Sequence, residues 1–193
     1  MLSVKRAKFA RATGGLITSS SHLTVGHDGI RVAHTFMSIT PEFADYLMRE
    51  ALAEANLAAK NDEVPVGAVI AHGEKIIGRG HNTTESDSSV VSHAEIHAIN
   101  MASRSLSNWR LSECVLCVTL EPCTMCLGAI RLARIPILIF GAGDSKQGAV
   151  GSLYDLSQDG RLGGELRVIQ GISMEACKGL LESFFKNKRG GSR

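Results

Sequence analysis

Residues 115–126 read Val-Leu-Cys-Val-Thr-Leu-Glu-Pro-Cys-Thr-Met-Cys. The first six are β-branched or apolar and too few for a buried helix, so they predict a short strand. Pro122 opens a helix that runs from Cys123 to about Arg134, and Pro136 stops it. A second short apolar run, Ile137 to Phe140, follows at once and reads as another strand. Upstream, Thr40-Pro41-Glu42 combines a capping hydroxyl, a proline at the first helical position and an acid in the first turn. Phe43, Leu47, Ala51 and Ala55 then recur at helical spacing to about Lys60. Val64 to His72 and Lys75 to Gly80, broken at Gly73, predict a hairpin. Ser92 is the expected cap of a helix from His93 to about Ser103. Leu166 to Ile172 predicts a strand and Met174 to Lys188 a final amphipathic helix. Strands alternating with helices over this length predict an α/β fold, a three-layer α/β/α domain with a central sheet of about five strands. The Gly-rich stretch from Gly141 to Gly164 is long for a connection in such a domain, which predicts a functional or mobile loop.

The composition of the 193 residues, 44% apolar and 21% charged, excludes collagen-like, coiled-coil and fully disordered chains. No stretch approaches the roughly 18–20 apolar residues of a membrane span. The net charge of +2 hides a pattern. Residues 1–36 carry five basic side chains against one acid, a net +4 that leaves −2 for the rest. The last sixteen residues hold Lys178, Lys186, Lys188, Arg189 and Arg193 against Glu182, so two basic ends flank an acidic middle. Residues 1–36 show no apolar period and predict a disordered extension, with residues 37–193 as the folded domain. Their basic, acid-poor start is that of an organellar transit peptide, the alternative to a cytoplasmic protein with an unstructured extension.

Five cysteines without a secretory signal read as thiols or metal ligands. Cys123 and Cys126 lie one helical turn apart, so both sulfurs can face one ion. His93 heads a different predicted helix and supplies an imidazole. One imidazole, two thiolates and a water make a catalytic zinc site, and two helix N-termini aimed at it favour thiolate and hydroxide. Glu95, two residues after His93, is placed to move protons without being a ligand. His-x-Glu followed by Pro-Cys-x-x-Cys is the signature of zinc-dependent nucleobase deaminases. A four-thiolate structural site built from Cys114, Cys117, Cys123 and Cys126 is the competing reading. It fails because strand alternation points Cys114 and Cys117 to opposite faces. Those two and Cys177 are expected as buried small apolar residues, and His97 as a packing or surface residue.

With these residues in hand, the sequence resembles the cytidine deaminase-like superfamily and, within it, the bacterial-type tRNA-specific adenosine deaminases. The resemblance runs from about Phe43 to Arg189: Glu63 to Val69, Gly80-His81-Asn82, His93-Ala94-Glu95, Asn108 to Leu111, Thr119 to Cys126, Phe140 to Lys146, Gly148 to Leu153 and the Phe184-Phe185 tail. It implies hydrolytic conversion of adenosine to inosine at the wobble position of a tRNA anticodon, by a homodimer with one catalytic zinc per subunit. His93, Cys123 and Cys126 would bind the metal, and Glu95 would be the catalytic proton shuttle. Asn82 would contact the purine, or else serve as a turn residue capping the hairpin. Asp144 would lie near the sugar of the flipped nucleotide, or else shape its loop. Phe185, Lys186 and Arg189 would grip the anticodon stem-loop, with Phe184 divided between that role and core packing. Trp109 is expected to pack between helix and strand. No membrane partner and no nucleotide cofactor are implied. The linker Thr83 to Ser92 lacks the proline common in relatives before His-Ala-Glu. The alternatives are a deaminase of free guanine, cytosine or nucleotides, which shares every zinc residue, and a non-catalytic RNA-binding subunit.

Overall fold

The oxygen of the Thr40 side chain accepts the Phe43 N–H at 3.2 Å, and α1 spans Pro41–Lys60 in the computed structural model, which describes residues 38–190. One stripe of α1, including Ala44, Leu47, Met48, Ala51, Ala55 and Ala58, is buried. The predicted hairpin is β1 (Gly67–His72) and β2 (Lys75–His81), turning at Gly73 with φ +58°, a conformation that favours glycine. The remaining elements are α2 (Ala94–Leu106), β3 (Cys114–Leu120), α3 (Thr124–Leu132), β4 (Ile137–Ala142), β5 (Arg167–Gln170) and α4 (Met174–Gly190). They form one five-stranded sheet of order β2-β1-β3-β4-β5. The pairs β1/β2 and β1/β3 are antiparallel, whereas β3/β4 and β4/β5 are parallel.

Alternation along β3 divides its side chains between two cores. Cys114, Leu116 and Val118 join Ala94, Ala98 and Ala102 of α2 and Leu127 and Ile130 of α3 on one face. Helices α1 and α4 cover the other, where the Cys177 Sγ lies 3.6 Å from the Met48 Sδ. Helices on both faces of a five-stranded sheet are the predicted three-layer architecture. The thiols of Cys114, Cys117 and Cys177 are all buried and free, as expected of small apolar residues, and burial pushes each one up. A side chain at Gly80 would put its Cβ 2.3 Å from the Ala94 carbonyl oxygen. Glycine there lets the first turn of α2 lie directly on β2, which positions the helix N-terminus.

Several local expectations shift. The cap of α2 is His93 and not Ser92, which is buried one residue further out. Cys123 caps α3, so the helix proper starts at Thr124. Trp109 is 52% exposed. Its ring stacks with guanidinium groups, Arg110 at 4.2 Å and Arg134 at 5.6 Å from the centroid, instead of packing between helix and strand. No helix among the described residues is long and apolar enough to cross a membrane. The expectations for residues 1–36 lie outside the described residues.

Candidate active site

His93 and Cys123 occupy the same position in two different helices. Each is an N-cap with extended backbone, at φ −85° and ψ 154° for His93 and φ −72° and ψ 172° for Cys123. Neither side chain caps its own helix. Both are thereby free to turn toward each other, with Cys126 one turn inside α3. The His93 Nδ1 lies 3.8 Å from the Cys123 Sγ and 3.4 Å from the Cys126 Sγ. All three ligand atoms fall within 4.8 Å of one another, and they are the only such group of three among the described residues. Tetrahedral zinc, with bonds of about 2.3 Å to sulfur and about 2.0–2.1 Å to nitrogen, requires an S···N separation of roughly 3.5 Å. The observed distances bracket that value, so the donor set fits the ion.

The thiol chemistry agrees with the geometry. A hydrogen bond from the Cys126 thiol, together with His93, draws the Cys123 thiol down to about 4. The same interaction and burial push the Cys126 thiol up. His93 is raised, chiefly by its hydrogen bond to Cys123. The pair therefore holds one thiolate beside a thiol and an imidazole ready to exchange protons for a metal. Glu95 follows in the first turn of α2 and is only 3% exposed. Burial raises its carboxyl above the usual carboxylate range, the direction that suits a group which both takes and gives protons.

Asn82 ends the hairpin and lies against this centre. Its Oδ1 accepts the Ala94 N–H at 3.0 Å, so it supplies the α2 cap that His93 does not. The linker between them is shaped by a buried carboxylate: Glu63 accepts the Glu85 N–H at 3.1 Å and the Ser86 N–H at 2.7 Å. These bonds fix the course of the linker ahead of His93. His97 lies 2.8 Å from the Thr83 Oγ1 and stays out of the metal cluster.

The segment after β4 closes the other side. Asp144 is half-buried, and its Oδ1 accepts the backbone N–H groups of Lys146 at 2.8 Å and Gln147 at 3.3 Å. One carboxylate oxygen of Asp144 thus shapes the turn. The long Gly-rich loop, expected to be functional or mobile, is pinned at two points. Glu121 takes the amides of Asp144, Val150 and Ser152. Arg131 donates to the carbonyls of Gly164 at 2.7 Å and of Ser157.

A model of the MafB19-like deaminase family matches residues 44–189. A curated tRNA-specific adenosine deaminase of Streptococcus pyogenes serotype M1 is 44% identical over 153 residues, 79% of this chain and 90% of that protein. Its namesake in Bacillus subtilis is 42% identical over 142 residues, covering 74% and 88%. The chain belongs to the tRNA-specific adenosine deaminase family. A solved structure from work on A-to-I editing by tRNA:A34 deaminases superimposes with a TM-score of 0.67 at 42% identity, over 70% of this chain and 99% of that one. A guanine deaminase of Nitrosomonas europaea shares the fold, with a TM-score of 0.63 at 23% identity over 72% and 83% of the two chains.

In this deaminase the C-terminal helix carries the remaining expected contacts. Phe185 is 44% exposed, and Lys186 and Arg189 are exposed beside it. Phe184 is half-buried, edge-on to Phe185, with the Lys188 Nζ 5.5 Å from its ring centroid. Phe184 and Phe185 border an open groove with Glu63, Val64, Glu85 and Ser86. The groove thus joins α4 to the linker that leads into His93. Sequence patterns do not single out Glu63, Glu121 and Arg131 as functional residues of the deaminase. The one signal is a charged residue abutting an apolar run, as Glu121 does after Val115–Leu120.

Proposed function

We propose that the protein hydrolytically deaminates adenosine to inosine at the wobble position of a tRNA anticodon. The observation that carries this reading is the His93, Cys123 and Cys126 cluster at two helix N-termini beside buried Glu95, in a chain 41–44% identical to tRNA-specific adenosine deaminases. His93, Cys123 and Cys126 would hold one zinc ion, which when bound would supply an activated water. Glu95 takes a proton from the attacking water and delivers it to the adenine ring nitrogen. A second transfer through the same carboxylate accompanies departure of the amine as ammonia, so adenosine plus water becomes inosine plus ammonia. Its raised affinity for a proton suits both directions of transfer.

The base must leave its stack to reach a carboxylate this deeply buried, which is cheapest in an anticodon loop. Asn82 contacts the purine from the end of the hairpin, and Asp144 lies near the sugar. Phe185, Lys186 and Arg189 hold the loop from α4. The active form is a homodimer of domains spanning residues 37–193, with residues 1–36 as an extension. The protein acts in the cytoplasm, or in an organelle if that extension is a transit peptide.

Incubation with an anticodon stem-loop carrying adenosine at the wobble position, read by sequencing for inosine, tests the proposal. Turnover of free guanine or cytosine with none on RNA would replace it with the free-base reading.

A further inference from the structure

Glu121 is a carboxylate in the wrong place for solubility: it directly follows a buried strand and is only 3% exposed. It is nonetheless fully occupied. Its Oε1 accepts the Val150 N–H at 2.8 Å and the Ser152 N–H at 3.0 Å, while its Oε2 accepts the Asp144 N–H at 3.0 Å. The loop is built around this group, because a Cβ at Gly148 would stand 2.5 Å from both the Glu121 Cδ and Oε2. The same loop pairs with the metal-binding turn, through a bridge between Cys123 and Gly148 and a hydrogen bond from the Ala149 N–H to the Pro122 carbonyl at 2.9 Å. A buried charge satisfied by three amides of one loop is costly to displace, so it over-determines where that loop sits.

We propose that Glu121 is a positioning residue for substrate: it locks the Gly143–Leu153 loop, and with it Asp144, in fixed register with the Cys123 turn. The inference rests on the reading of Asp144 as a substrate contact. Glu121 touches neither metal ligand side chains nor reacting atoms, and acts through the backbone of the loop. Glutamine is the informative replacement. Its Oε1 keeps the bonds to Val150 and Ser152, but its amide nitrogen cannot accept the Asp144 N–H.

In Glu121→Gln, amide hydrogen exchange at Asp144 speeds up while bound zinc stays at the wild-type level. The kcat/KM for the anticodon stem-loop falls tenfold to a hundredfold, roughly the effect of removing one hydrogen bond to a charged acceptor, and the fall sits mainly in KM. Unchanged exchange overturns the proposal, and so does faster exchange with unchanged kinetics. If Glu121→Gln loses zinc or fails to fold, Glu121→Asp, which keeps the carboxylate but withdraws it by one methylene from the loop amides, must reproduce the exchange and KM effects. Collapse of both variants overturns it too, since Glu121 would then hold the whole domain and not one loop. Exchange is measured without substrate, so a wild type inert on RNA defeats the proposed function while leaving the loop assignment to be judged separately.

Discussion

The Oδ1 of Asn82 accepts the N–H of Ala94 at 3.0 Å, joining the last residue before the linker to the first residue of α2. The two lie twelve positions apart in the sequence, and the bond closes the linker into a loop whose far end presents His93. An asparagine caps a helix here from outside its own turn, leaving the His93 imidazole to the cluster with Cys123 and Cys126.

Asn82→Ala should lower stability by about 1 kcal/mol, the usual cost of removing a cap, and the melting temperature by about 2–4 °C. Asn82→Asp retains the acceptor and should recover most of that stability. Deamination should fall in both, because neither offers the purine an amide. Thermal unfolding with no change in Asn82→Ala would show that the bond stabilises nothing.

Glu95→Gln should abolish turnover, by about 10²–10⁴-fold, while one zinc remains bound per chain. Metal analysis alongside inosine formation checks both halves. Comparable turnover in the variant would remove Glu95 from the proton path.

Zinc uptake should be pH-dependent with a definite sign. His93 and Cys126 both hold their protons more tightly than usual, and each must release its proton to coordinate. Apparent affinity should therefore rise with pH, by about tenfold per unit for each proton displaced, and more steeply below the His93 pKa, where two leave. Competition with a chelator across pH 6 to 8 measures the slope. A flat profile would mean the donors are already deprotonated.

Neutralising Lys186 and Arg189 together should weaken stem-loop binding and reduce its salt slope by about one for each phosphate left without its cation. Melting temperature should not move, because both side chains are exposed. Affinity titrated at several salt concentrations decides the point, and unchanged slopes would take α4 out of the RNA interface.

The sequence by itself determined the local chemistry. Periods of two and 3.6, the Thr40 cap and Pro122 set every strand and helix within a few residues, because these signals act between neighbours along the chain. His-x-Glu and Pro-Cys-x-x-Cys pointed to the candidate metal donors and the proposed proton carrier for the same reason: each is a turn-length pattern. What only the tertiary structure decided is what depends on partners far apart in the chain. Antiparallel pairing of β1 with both β2 and β3 carries the Cys123 turn to the same end of the sheet as Asn82 and the start of α2, so that His93 and Cys123, 30 positions apart, come together in one cluster. Glu63 and Glu121 read in one dimension as ordinary charged residues. Their burial is tolerable only because amides from 22 to 31 residues away converge on them, and no local pattern encodes that convergence.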